Sequence, residues 1–199
     1  MDMMLHRHGA RPATAGLPGW VPAAARNYLA HTEAGLPIRE LARQTGCHAS
    51  TVLRQIRRFE TRRDDPLIDA VLRKLGTGMK ERSSVPPNSQ QKDMSPMHAA
   101  KQDFAPDTTR FKQEAQRILR RLCEKGAVLA VAIDMEKAVV VRDGAAGAST
   151  RTAVVDREIA EAMALQDWIS TETSGRITRY RITGTGRTAL TQMMDGAGE

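Results

Sequence analysis

The sequence predicts a mainly α fold joined to a part that mixes helix and strand, and three observations predict it. Residues 17–76 place apolar side chains at helical spacing between Pro and Gly stops, and residues 107–195 alternate such stretches with short β-branched runs. Between them, residues 77–106 include Ser83-Ser84-Val85-Pro86-Pro87-Asn88-Ser89-Gln90-Gln91, which carries almost no aliphatic surface. A segment of that composition buries too little to offset its ordering entropy. The expected organisation is a disordered N-terminal tail over 1–16, a helical domain over 17–76, a flexible linker over 77–106 and an α+β domain over 107–195.

The helical domain reads as four helices. Pro22 suits the first helical position, where its missing N–H costs nothing, and Ala24, Ala25, Tyr28 and Leu29 follow on one face before Gly35. A short helix over Pro37–Thr45 buries Ile38, Leu41 and Ala42 and stops at Gly46, a residue free to take the positive φ of a tight turn. A third runs from about Ala49 to Arg62, with Val52, Ile56 and Phe59 at i, i+4 and i+7. Asp65-Pro66 supplies an N-cap and a first-turn proline for the fourth, whose stripe of Leu67, Ile68, Val71, Leu72 and Leu75 is expected to end at Gly76.

In the second part, Phe111, Ala115, Ile118, Leu119 and Leu122 keep helical spacing up to Gly126. Ala127–Ile133 and Ala138–Val141 read as a hairpin, and Asp143–Thr150 as a Gly/Ala/Ser loop before a helix from about Asp156 to Leu165. Two strands, Trp168–Thr171 and Arg176–Ile182, and a last helix after Thr183 complete the chain. Helix, hairpin and C-terminal helix in this order predict a winged-helix-like α+β domain. Arg179-Tyr180-Arg181-Ile182-Thr183-Gly184-Thr185-Gly186-Arg187 resembles the wing strand and following helix start of winged-helix regulators.

Charge narrows the function classes. Thirty Lys and Arg against 23 Asp and Glu give +7, and the excess is uneven: residues 1–82 carry +6 and residues 83–199 only +1. A basic first domain points to a polyanion. Three Phe, two Trp and two Tyr are too few for the stacking platforms that hold single strands, so duplex DNA is the expected partner. Arginine outnumbers lysine 23 to 7, which suits bidentate phosphate and guanine contacts, although a GC-rich coding bias gives the same excess. No stretch approaches the roughly 18 apolar residues that a membrane span needs. The expected location is cytoplasmic, with Cys47 and Cys123 as small buried apolar residues rather than a disulfide or zinc pair.

The most informative stretch is Leu41-Ala42-Arg43-Gln44-Thr45-Gly46-Cys47-His48-Ala49-Ser50-Thr51-Val52-Leu53-Arg54. A helix-turn-helix needs a small residue in its second helix for a close crossing, a turn glycine four positions later, and an aliphatic six beyond that. Ala42, Gly46 and Val52 have that spacing. The stretch resembles bacterial helix-turn-helix regulators and the DNA-binding parts of resolvases. Gln55 departs from the family pattern, which is commonly apolar there, and Ile56 beside it is expected to take over the packing.

Residues 17–76 as a whole, including Leu17-Pro18-Gly19-Trp20-Val21-Pro22 and Tyr28-Leu29-Ala30-His31-Thr32-Glu33, also resemble small alphaproteobacterial transcription regulators. Among these are the N-terminal halves of activators of gene transfer agent clusters. That resemblance implies transcriptional control together with RNA polymerase or accessory factors.

On a recognition helix beginning near Ala49, Ser50, Arg54 and Arg57 point away from Val52, Ile56 and Phe59, while His48 projects from the turn. The expected DNA-binding residues are His48, Ser50, Thr51, Arg54, Arg57 and Arg58. Arg54 is the candidate for a bidentate guanine contact, and Ser50 or Thr51 for phosphate. Arg58, Arg62 and Arg63 would flank the groove or oppose the helix dipole. The bland alternative is a solvated face paired with Glu60, Asp64 and Asp65, with His48 merely a polar turn residue.

No Walker loop, GxSxG, His-Glu-x-x-His or pocketed carboxylate pair is present, so no catalytic residue, metal ligand or cofactor is expected. Gly184-x-Gly186 lacks the βαβ setting of a dinucleotide fingerprint, and His6-x-His8 reads as part of the tail. The leading expectation is a sequence-specific duplex-DNA-binding transcription regulator. Its C-terminal domain would contact RNA polymerase or another regulator, or form a homodimer. The alternative is a protein-interaction module with a helix-turn-helix fold that does not read DNA. A recombinase subunit is disfavoured for want of a catalytic Ser or Tyr constellation.

Overall fold

The computed structural model describes residues 16–84, 106–143 and 149–195. Residues 1–15 of the expected tail, residues 85–105 of the expected linker and the centre of the 143–150 loop lie outside the described residues. The order of elements is α1 Ala23–Thr32, α2 Ile38–Thr45, α3 Ala49–Arg62, α4 Pro66–Ser84, α5 Thr108–Leu122, β1 Ala127–Ala132, β2 Lys137–Asp143, β3 Ser149–Asp156, α6 Arg157–Leu165, β4 Ile169–Thr173, β5 Ile177–Ile182 and α7 Gly184–Asp195. None of the described helices is long and apolar enough to cross a membrane.

The first three helices follow their sequence signals closely. Pro22 and Pro37 stand at the N-caps of α1 and α2 in extended conformation, so each proline lies just outside its helix rather than in the first turn. Gly46 caps α2 with φ +66°, in the left-handed region that a side chain makes costly. Ala25, Tyr28, Leu29, Leu41, Val52, Ile56 and Phe59 are buried between the three helices. Asn27 is buried with them, and its amide donates a 2.8 Å hydrogen bond to Gln55. That bond explains the polar residue at position 55: it gives a buried amide an acceptor where an aliphatic would leave it unpaired.

The fourth helix does not end at Gly76 as the stop rule predicts. It runs on to Ser84, with Met79 buried in its additional turns. Gly76 sits inside the helix against Glu33: an added Cβ would lie 3.0 Å from Glu33 Cδ. The glycine therefore serves a close approach rather than a stop. Both cysteines are exposed, which corrects the expectation that they are buried. Cys47 lies in the α2–α3 turn and Cys123 at the C-cap of α5, positions that turn backbone out to solvent.

The five strands form one antiparallel sheet in the order β3-β2-β1-β5-β4. Leu129 pairs with Val140 on one side and Tyr180 on the other, and these three, with Val131, Ala138 and Val155, face the core. The alternate row, Val154, Val139, Ala130 and Arg179, lies on the opposite face. Strand β3 is an addition to the expected topology: its opening Ser149-Thr150 falls in the expected loop, the residues after it belong to no expected element, and pairing with β2 makes the segment a strand.

A single cluster of buried side chains runs from the helical part into the sheet part. Trp20 contacts Phe111 with ring centroids 5.3 Å apart, and Phe111 stacks on Trp168 at 5.2 Å. Trp20 Nε1 donates to Pro106 O at 2.8 Å, and Gln166 donates to Trp20 O. Where α4 meets α6, Glu161 is 1% exposed and takes Lys74 at 2.7 Å and Arg157 at 3.3 Å. A buried carboxylate is tolerable only when paired in this way.

Candidate nucleic-acid interface

The geometry of the site starts from the turn between α2 and α3. With Gly46 left-handed and His48 extended at the N-cap, α3 starts at Ala49 and crosses α1 and α2 through Val52, Ile56 and Phe59. Helical periodicity then aims Ser50, Arg54, Arg57 and Thr61 outward along one stripe, and all four are exposed. Neither Arg54 nor Arg57 forms an ion pair among the described residues. Two guanidiniums with free donors on the outward face of a helix-turn-helix can meet phosphates or base edges.

The other expected residues are placed differently. His48 caps α3: its Nδ1 accepts from Ser50 N–H at 3.4 Å and lies 2.8 Å from Ser50 Oγ. His48 and Ser50 thus form a local pair at the helix start rather than two independent projections. Thr51 is half-buried beside them. Arg58 is on the edge of the stripe and pairs with Asp167, while Arg62 reaches the same carboxylate at 2.7 Å and Ala164 O at 2.7 Å. Arg63 donates to Tyr28 Oη at 2.8 Å and pairs with Asp69 at 3.0 Å.

The arginine cluster is paired, as the bland alternative supposed, but with Asp167 and Asp69 rather than with Glu60, Asp64 and Asp65. Arg62 and Arg63 are not free for phosphate; they tie α3 to the sheet part and to the start of α4. Burial lowers the Arg62 pKa and the Asp167 charge opposes that shift. Asp65 is taken up by backbone and hydroxyl donors: Leu67 N–H at 2.9 Å, Tyr180 Oη at 2.9 Å and Thr171 Oγ1 at 2.7 Å. Burial first, and then the Asp65 charge, raise the Tyr180 pKa well above the usual phenol range, so this hydroxyl stays a donor.

Sequence reasoning missed Asp167, which lies in the turn between α6 and β4, over a hundred positions from its arginine partners. A positive φ of 62° marks it in the structure, but nothing in its local sequence does. Also missed were Arg39 and Arg43, which share the exposed face of α2 at i and i+4, with Arg43 paired to Glu40. No group of three His, Cys, Asp or Glu side chains among the described residues is arranged for a metal. A groove of about 580 Å³ opens beside the Trp20, Phe111 and Trp168 rings, with Lys112 the one charged group among its described lining residues.

Comparison with protein families bears directly on this arrangement. A family model described as a homeodomain-like domain matches residues 24–68, from the first turn of α1 into the first turn of α4. Those residues form a helix-turn-helix domain. The match coincides with the segment that carries Ala42, Gly46 and Val52, and it suggests DNA as the partner of this helix-turn-helix domain. The match does not extend into the sheet part. Neither the curated proteins nor the solved structures yield a match to the chain.

Proposed function

We propose that this protein is a sequence-specific, duplex-DNA-binding transcription regulator that reads the major groove with α3. One observation carries the reading: Arg54 and Arg57 stand unpaired on the outward stripe of a helix-turn-helix, at the place where a groove would receive them. In this reading His48 and Ser50 set the start of the helix near the backbone, Arg54 contacts a guanine edge, and Arg57 lies along the groove wall. The protein acts by binding and not by catalysis. The +6 carried by residues 1–82 supplies the sequence-independent part of the affinity.

A protein partner is the second reading, and the sheet favours it. Ile133, Met135, Val154 and Ile177 are exposed large apolar side chains in the sheet part, with Ile177 at 56%. Exposed apolar side chains on a sheet can serve a protein contact where they gather into one patch. The resemblance to gene transfer agent activators makes RNA polymerase or another regulator the partner to consider there. Selection of bound sequences from a random duplex pool, followed by genome-wide occupancy of wild type and Arg54→Ala, tests the main reading. Enrichment of one motif that Arg54→Ala no longer enriches supports it. Absence of any motif under low and physiological salt favours the interaction-module alternative.

A further inference from the structure

The Asp167 turn brings the sheet part to the rim of the recognition stripe. Arg58 follows Arg54 by one helical turn on α3, is 62% exposed, and gives its Nη2 to Asp167 Oδ2. Asp167 itself is held on three sides. Its other oxygen takes the largely buried Arg62 at 2.7 Å, its N–H donates to Ala164 O at 3.1 Å, and its carbonyl accepts from Thr183 Oγ1. Arg62 in turn lies over the Phe59 ring, 5.4 Å from its centroid.

Asp167 is also the only described non-glycine residue with positive φ, at 62°. Asp tolerates that region better than most residues, but the conformation persists only where the surroundings fix it. The carboxylate is thus an anchored acceptor aimed at an exposed arginine on the recognition helix. With two guanidiniums on one carboxylate the triad is net cationic, so an approaching phosphate or guanine meets an attractive group.

We infer that Asp167 is a positioning residue for DNA recognition: it holds the Arg58 guanidinium so that its remaining donors face the groove in one orientation. The inference rests on the DNA-binding reading above and extends it, because a residue of the sheet part then shapes what the helix-turn-helix selects. An arginine held through one edge loses less rotamer freedom on binding than a free one, and its fork geometry becomes specific.

The signs of the effects separate this role from a simple charge effect. Asp167→Asn keeps the residue size and its tolerance for positive φ while removing one negative charge. The test is competition binding of the full chain to its selected site and to a scrambled duplex, with Asp167→Asn, Arg58→Lys and the double variant, and with thermal midpoints measured in parallel.

The expected result is that Asp167→Asn binds scrambled DNA as well as wild type or better, yet loses about tenfold of its preference for the selected site. Arg58→Lys should lose preference similarly without weakening scrambled binding, and the double variant should lose no more than either alone. Equal shifts for both duplexes in Asp167→Asn would reduce its role to charge and overturn the inference, as would full preference in the exposed-site Arg58→Lys variant. Loss of preference in Arg54→Ala alongside those results would leave the DNA-binding reading standing. A wild type with no preference for any site overturns both.

Discussion

The Tyr180 hydroxyl donates a 2.9 Å hydrogen bond to Asp65, joining the start of α4 to the strand beside the centre of the sheet. The same carboxylate caps α4 through Leu67 N–H at 2.9 Å and accepts from Thr171 at 2.7 Å. Asp65→Ala therefore removes a helix cap, worth about 0.5–2 kcal/mol, and leaves a buried hydroxyl without its acceptor, worth about 1–3 kcal/mol. Tyr180→Phe removes donor and need together and should cost less, about 0.5–1.5 kcal/mol. Urea denaturation of the two variants and their double mutant measures this. Equal, additive losses would mean that the bond contributes nothing of its own.

The helical and sheet parts should remain associated when the chain between them is cut. Trp20, Phe111 and Trp168 form one aromatic cluster, and Glu161 binds Lys74 across the α4–α6 contact. After proteolytic nicking within residues 85–105, the two pieces are expected to co-elute on size exclusion at neutral pH. They should separate more readily when Glu161→Ala removes the carboxylate that Lys74 reaches across that contact. Separation of the wild-type pieces on dilution would show that the parts are independent.

Gly46→Ala tests the turn. At φ +66° an added Cβ meets nothing within 4 Å, so the cost is backbone strain alone, about 1–2 kcal/mol. In a chain of this size that lowers the thermal midpoint by about 2–4 °C per kcal/mol. Gly46→Asn should recover part of it, because Asn tolerates the left-handed region. An unchanged midpoint in Gly46→Ala would place the turn in another conformation.

Acid should weaken the fold through two carboxylates in particular. The hydrogen bond from Arg73 lowers the Asp69 pKa, and that from Lys137 lowers the Asp156 pKa. A carboxylate whose native pKa is depressed contributes stability that is present above its unfolded value, near about 3.9, and is lost as pH falls through its native value. Stability should therefore hold down to about pH 5 and then decline, less steeply in Asp156→Asn. Because both groups are partly exposed, salt should flatten the difference. An identical acid profile in Asp156→Asn would remove Asp156 from this account.

Legibility in the sequence followed the range of the interactions. Helices α1 to α3 depend on near-neighbour periodicity and on Gly46, and their bounds lie within a residue or two of the reading. Strand β3 was missed because Ala153 and Val155 are its only core-facing apolar residues and the polar start gains its conformation from β2. The register shift at Val140/Val141 further obscures its alternation. The stripe of Ser50, Arg54 and Arg57 was legible for the same periodic reason. The ties of Arg58 and Arg62 to Asp167 were not, since α6 and β4 bring that residue back from a distant part of the chain.

The central claim is that α3 reads base sequence, and Arg54 tests it most directly because it is exposed and carries no structural partner among the described residues. The measurement is the affinity ratio between the selected site and a scrambled duplex, at one salt concentration, for wild type and Arg54→Ala, with thermal midpoints as a control. The account predicts an unchanged midpoint and a ratio reduced by about 1–3 kcal/mol in Arg54→Ala. A full wild-type ratio in that variant would contradict it.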